Sequence, residues 1–150
     1  MSRLSKRHRT HSAQGEARPF AGMRKVPPHA AGVDIGAHES VACVPDGADQ
    51  QIVRTFGTYP TDRHTLADWF VERGIQTVAM ESTGVDWMPL FEELAARGLS
   101  CCLISAQSIQ RVPGRKSAVV DCQWMQTLHS YGLLAASFRP EADCVALRTL

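Results

Sequence analysis

Three acidic residues stand where a carboxylate could do chemistry. Asp34 lies inside the apolar stretch GVDIG, between Val33 and Ile35, whose side chains in a strand point to the opposite face. A lone carboxylate buried there is costly unless it is paired, hydrogen-bonded or bound to a metal. Glu81 follows TVAM and precedes STG, where a strand gives way to a helix and residues at strand C-termini commonly carry function. Asp121 opens an amphipathic helix within GRKSAVVDCQWMQ, residues 114–126. One helical turn earlier, where a second carboxylate would share its face, stands Ala118. Two of the acids also have a plainer explanation: Asp34 could cap its turn, and Glu81 the helix that follows it.

Other side chains in the last segment invite a role. Arg115 and Lys116 precede the helix and are suitably placed to approach a phosphate, with Gly114 letting the loop bend; the alternative is a solvated basic turn. Trp124, Leu128 and Tyr131 recur at spacings of four and three, which reads as a core face rather than a base-stacking platform. His38, His64 and His129 have no partner at metal or catalytic spacing. The five cysteines are an odd count without C-x-x-C spacing, which predicts buried free thiols rather than disulfides or a zinc knuckle. Adjacent Cys101 and Cys102 sit in LSCCLI, where a strand would send them to opposite faces.

The elements that must position these residues begin at Ala31. AGVDIGAHESVACVP predicts a strand, a turn at Gly36 and a second strand, and QIVRTFGTY a third that closes an antiparallel meander. After Pro60, TDRHTLADWFVERG predicts a helix capped by Thr61 or Asp62, with Leu66, Trp69 and Phe70 on one face and Gly74 as its stop. IQTVAM is a fourth strand, VDWMPLFEELAARG a second helix with Pro89 tolerable in its first turn, and LSCCLI a fifth strand. Strand, helix, strand, helix, strand implies parallel pairing with right-handed crossovers. The expectation is an α/β domain: a mixed five-stranded sheet flanked by helices.

The chain has 150 residues, 44% hydrophobic and 21% charged, enough for one domain with a sizeable core. No apolar run reaches the roughly 20 residues that span a bilayer, and the N-terminus lacks the apolar core of a signal peptide, so a cytoplasmic location is expected. A net charge near zero conceals an asymmetry. Residues 1–25 carry seven basic side chains against Glu16, and the remainder nine basic against fourteen acidic. With few large apolar residues, residues 1–28 are expected to be a basic, disordered tail, either a phosphate-binding arm or a solvated leader.

The order of three antiparallel strands followed by alternating β and α resembles the ribonuclease H-like fold, in which the first and fourth strands are neighbours. That resemblance implies that Asp34 and Glu81 meet. More specifically, GVDIGAHES, AMESTGVDWMPLFEELAARG and GRKSAVVDCQWMQTLHSYGLL together resemble the RuvC-like N-terminal domain of the IS110-family, or DEDD, transposases. The likeness runs from about Ala31 to Leu150 with three separated motifs in order. That domain carries an Asp, a Glu and an Asp-x-x-Asp pair. By position, Asp34 matches the first carboxylate, Glu81 the second and Asp121 the fourth, while Ala118 replaces the third.

The resemblance implies metal-assisted phosphodiester chemistry in DNA transposition. Hard Mg²⁺ or Mn²⁺ ions prefer oxygen ligands, and a pair of them can activate an attacking oxygen and stabilise a leaving one. Asp34, Glu81 and Asp121 are then both catalytic and metal-binding residues, and Ala118 weakens metal binding and cleavage. It further implies mobile-element DNA as substrate, an element-encoded guide RNA and a homo-oligomer as partners, and no membrane. Relatives continue into a helical segment and a serine-bearing domain, of which VALRTL resembles only the start, so a truncated transposase is expected. Two other readings remain: a non-catalytic nucleic-acid-binding remnant, or a nucleotide-binding domain of the actin and sugar-kinase type, suggested by Asp34-Ile35-Gly36 but lacking a second glycine-rich loop after residue 84.

Overall fold

A computed structural model describes residues 9–11, 23–25, 29–47, 49–82, 84, 87–105 and 117–134. Among the described residues, six strands form one sheet: β1 (Arg9–His11), β2 (Ala30–Ile35), β3 (Ser40–Pro45), β4 (Gln51–Phe56), β5 (Thr77–Ser82) and β6 (Ser100–Ile104), in the order β1-β4-β3-β2-β5-β6. β2, β3 and β4 pair antiparallel, whereas β5 pairs parallel to β2 and β6 parallel to β5. The five expected strands are therefore present in the mixed arrangement of the ribonuclease H-like fold, with β2 central. Helices α1 (Pro60–Glu72), α2 (Met88–Ala96) and α3 (Ala118–Ser130) cover the sheet.

β1 departs from the sequence expectation, because three residues of the segment read as a disordered tail pair antiparallel with β4. An edge strand offers a row of backbone N–H and C=O groups to any extended segment, whatever its side chains, so apolar patterning gave no sign of it. Residues 1–8 and 12–22, Arg115, Lys116, Cys144 and the terminal VALRTL lie outside the described residues.

The sheet divides the interior by strand alternation. Ala31, Val33 and Ile35 of β2 join Val78 and Met80 of β5, Leu66, Trp69 and Phe70 of α1 and Leu90, Phe91 and Leu94 of α2 in the larger core. Phe70 and Leu94 are fully buried, each contributing about 1.5–3 kcal/mol of hydrophobic stabilisation. α1 starts earlier than the expected Thr61 or Asp62 cap. Tyr59 is its N-cap and Pro60 its first residue, a position where the missing proline N–H costs nothing. Asp62 instead reaches back from the first turn and accepts from Tyr59 N–H at 3.2 Å. Gly74, at φ +71°, ends the helix in the left-handed conformation that glycine adopts without a Cβ penalty.

The opposite face carries two smaller clusters under α3: Ala79, Cys102, Ile104 and Met125, and Val41, Cys43, Val53 and Cys122. Cys101 joins the larger core and Cys102 the α3 side, as strand alternation requires. Cys43, Cys101, Cys102 and Cys122 are free and buried. Of the expected core face of α3, Trp124 packs against a core cluster, but the most buried residues are others. Trp124, Leu128 and Tyr131 are part-buried, and the buried residues of α3 are Cys122, Met125, Gln126 and Ser130. Close approach of the helix backbone to Gly32 puts Cys122 and Gln126 at the sheet, and Met125 fills the cluster with Ala79, Cys102 and Ile104.

Candidate metal centre

Asp34 and Glu81 are register partners across the parallel β2–β5 pair, so their side chains leave the sheet on the same face, with strands about 4.8 Å apart. Central strands supply both, which fixes their backbones more firmly than a loop would. Asp121 enters from above, in the first turn of α3. That helix begins where Ser117, in extended conformation, accepts from Val120 N–H through Oγ at 3.1 Å, the usual role of a serine N-cap. The cap determines which residue falls one turn in, and that residue is Asp121.

The three carboxylates converge: each offers an oxygen within 4.8 Å of the others. Glu81 is buried at 2% exposure, whereas Asp34 and Asp121 are part-exposed, so the centre is open on one side. At this spacing each like-charged pair repels by on the order of 3 kcal/mol at an effective dielectric near 20. Oxygen-only donors and concentrated negative charge fit a hard divalent cation. Ala118, the first residue of α3, is exposed one turn before Asp121.

Contacts that sequence reading did not identify hold α3 in place. A Cβ on Gly32 would lie 2.8 Å from the Cys122 carbonyl and 2.9 Å from Gln126 N, so glycine lets the helix backbone rest directly on β2. Isolated glycine inside a strand signals such close approach, and this was the clue available in GVDIG. Beside it Gln126, 3% exposed, donates from Nε2 to the Ala30 carbonyl at 3.0 Å. Gln51 Nε2 lies within hydrogen-bonding distance of Gln126 Oε1, the Gln123 carbonyl and Thr127 Oγ1. At the far end, His129 Nε2 and Thr77 Oγ1 are 3.0 Å apart. These polar contacts fix the helix on β2, β4 and β5 and thereby fix Asp121.

Cys122 lies next to the centre without offering it a thiolate. Its hydrogen bond with Cys43 pushes the thiol well above its ordinary range, reinforced by burial and then by the charges of Asp34 and Asp121. Of the three histidines, His64 contacts Glu93 at 3.1 Å in an exposed cluster with Arg97 and Asp68, and His38 lies in the exposed β2–β3 turn. None of the three belongs to the carboxylate group.

A ribonuclease H-like sheet with acidic residues from the central strand, its parallel neighbour and a covering helix defines a nuclease-like domain. The sequence profile of the IS110 DEDD transposases, described as Transposase, matches residues 31–150. The chain belongs to that family, and residues 31–150 contain its transposase domain. No curated protein sequence matches it significantly. Among solved structures it is similar to T. thermophilus RuvC in complex with a Holliday junction substrate, at 12% identity and a TM-score of 0.48, covering 71% of this chain and 98% of that one. Among the described residues, no helix is long and apolar enough to cross a membrane.

Proposed function

We propose that Asp34, Glu81 and Asp121 hold a divalent cation, Mg²⁺ or Mn²⁺, and act on a phosphodiester of mobile-element DNA. The observation supporting this reading is their convergence within 4.8 Å from three separate elements. A bound dication supplies Lewis-acid polarisation of a phosphate oxygen and a lowered pKa for the attacking water. The protein's own part is positional. Paired central strands hold Asp34 and Glu81, and the capped, sheet-seated α3 holds Asp121. Arg115 and Lys116, immediately before α3 in sequence, are assigned to phosphate contact.

Ala118 stands where the family has its third carboxylate, so the proposal includes attenuated cleavage. The same residue favours a second reading: a domain that keeps the fold and nucleic-acid binding but has lost the chemistry. Residues 29–150 constitute the RuvC-like unit, and residues 1–28 a basic arm on the nucleic acid. Guide RNA, self-association and a cytoplasmic location belong to the proposal through family likeness.

Titration with Mn²⁺, followed by electron paramagnetic resonance, tests the centre. Asp34→Asn should weaken binding by at least about tenfold, and EDTA should remove both the bound ion and any strand cleavage. Equal Mn²⁺ affinity in the two proteins would refute the metal assignment. Intact Mn²⁺ binding with no cleavage of single- or double-stranded DNA would favour the non-catalytic reading.

A further inference from the structure

The metal centre occupies one face of the sheet, and on the other face, at the same end, lies a cavity of about 180 Å³. The β2–β3 turn, the β4–α1 connection and the first turns of α1 and α2 enclose it, and Ile35, Ser40, Arg63, Leu66 and Leu90 are among its lining. Ile35, Ser40, Leu66 and Leu90 are each at most 5% exposed, so the wall is rigid core rather than surface. Most of it is hydrocarbon, with Ser40 as a hydroxyl in the wall.

Arg63 gives this cavity a sign. Among the described residues, its guanidinium makes one side-chain hydrogen bond, from Nη1 to the Thr58 carbonyl at 2.8 Å, and forms no ion pair. Its Nε is buried without a hydrogen-bond partner. Arg73 and Arg97 differ, each meeting a carboxylate at about 3 Å. A part-buried cation beside apolar walls, answered by no acid, is costly in the free protein.

Charge and volume together narrow the occupant. A cavity of roughly 150 Å³ accommodates a benzene ring, so this one takes a single small ring and not a whole nucleotide. The positive group calls for an anion attached to that ring. Position supplies the last constraint. Ile35 follows Asp34 directly, so the strand end that carries a carboxylate of the centre on one face carries a wall residue of the cavity on the other, their Cα atoms about 3.8 Å apart. A nucleic-acid strand with a phosphodiester at those carboxylates passes over the end of β2 within reach of the cavity.

We propose that this cavity receives the base of one unpaired nucleotide flanking the reacting phosphodiester, with the ring against Ile35, Leu66 and Leu90 and a backbone phosphate on Arg63. The inference rests on the phosphodiester reading of the carboxylate centre. Enclosing an unstacked base is how proteins hold a single strand in fixed register beside a reactive site. DNA and RNA share this chemistry, and the test separates them.

The test uses the full chain with fluorescein-labelled single-stranded oligonucleotides, deoxyribo and ribo, read by anisotropy, with Mn²⁺ titration as a control for the other face. Arg63→Met should weaken binding by about tenfold and Arg63→Lys by less, with Mn²⁺ affinity unchanged in both. A set of oligonucleotides with one abasic residue at successive positions should reveal one position where loss of the base costs the original protein about tenfold. The cavity-filling variant Ser40→Leu should lose that dependence. If Arg63→Met binds as the original does, or the abasic penalty survives cavity filling, the inference is wrong while the metal reading stands. An original protein that binds neither Mn²⁺ nor oligonucleotide would overturn both. The preferred sugar identifies whether the base belongs to DNA or RNA.

Discussion

The two faces of the sheet are built by opposite rules. Under α1 and α2, large side chains interlock: Phe70, Leu66, Met80 and Leu94 are fully buried, and Trp69 stacks on Phe70 and meets Phe56 at a tilt, with ring centroids 5.7 and 5.6 Å away. Under α3, Met125 and Ile104 are the large buried side chains, and the closest joining is made by small and polar groups: Gly32, Ala79, Cys43, Cys122 and the Gln51–Gln126 contact. The apolar face gains stability from area removed from water. The α3 face gains position, because a helix backbone resting on a strand and tied by directional hydrogen bonds has little freedom to slide. Stability and site geometry are thus assigned to different sides of one layer.

The largest effect should come from the apolar face. Phe70→Ala removes a ring with no exposed surface, and such truncations cost about 3–5 kcal/mol. Urea unfolding should show the midpoint lowered accordingly. Below that midpoint, Mn²⁺ affinity should remain that of the original protein, because Phe70 packs in the α1–α2 core while Gly32, Gln51 and Gln126 seat α3 on the opposite face. A loss of metal affinity parallel to the loss of stability would show that the faces are not separable.

Gly32→Ala attacks the other face. The new methyl group meets the Cys122 carbonyl at 2.8 Å and Gln126 N at 2.9 Å, both backbone atoms that cannot rotate aside. Overpacking of this kind costs about 1–3 kcal/mol, less than Phe70→Ala. Its effect on Mn²⁺ should be the larger of the two, about tenfold weaker binding, since relief requires α3 to lift and carry Asp121 with it. Destabilisation with undiminished metal affinity would mean that Asp121 follows the sheet by some route other than this contact.

The same contrast explains what the sequence could disclose. Apolar alternation and helix periodicity located β2 to β6 and all three helices, because burying hydrocarbon writes itself into residue type. Asp34 was conspicuous as a charge between Val33 and Ile35, and its nearness to Glu81 followed from the fold the chain resembles. The α3 face was harder to read. Trp124, Leu128 and Tyr131 looked like its core stripe, yet of these Trp124 packs against a core cluster while Cys122, Met125, Gln126 and Ser130 are the buried residues, because contact there depends on how closely two backbones approach. A glutamine 75 residues from its partner leaves no local pattern, and β1 joins the sheet through main-chain groups. The cavity beside Arg63 draws on β2, β3, α1 and α2, a combination that no single stretch of sequence contains.

The smallest structural effect, and the sharpest test of the α3 face, belongs to Ala118→Asp. Ala118 is exposed in the first turn of α3, so the substitution creates no cavity and displaces no core atom. An added carboxylate at a helix N-terminus gains about 0.3–1 kcal/mol from the dipole, offset by repulsion from Asp121 one turn on, and the net change in stability should be under about 1 kcal/mol. Metal binding should move far more. With α3 held on Gly32 and by Gln126, residues three apart share a side of the helix, so the introduced side chain brings a fourth carboxylate toward Asp121. Mn²⁺ affinity should rise by about tenfold, and any weak strand cleavage should increase with it. The gain should vanish when Asp34→Asn is combined with Ala118→Asp, because a new ligand strengthens the centre only if the old ones still form it. An Ala118→Asp protein that folds normally and binds Mn²⁺ no better would show that the first turn of α3 presents Asp121 alone to the centre.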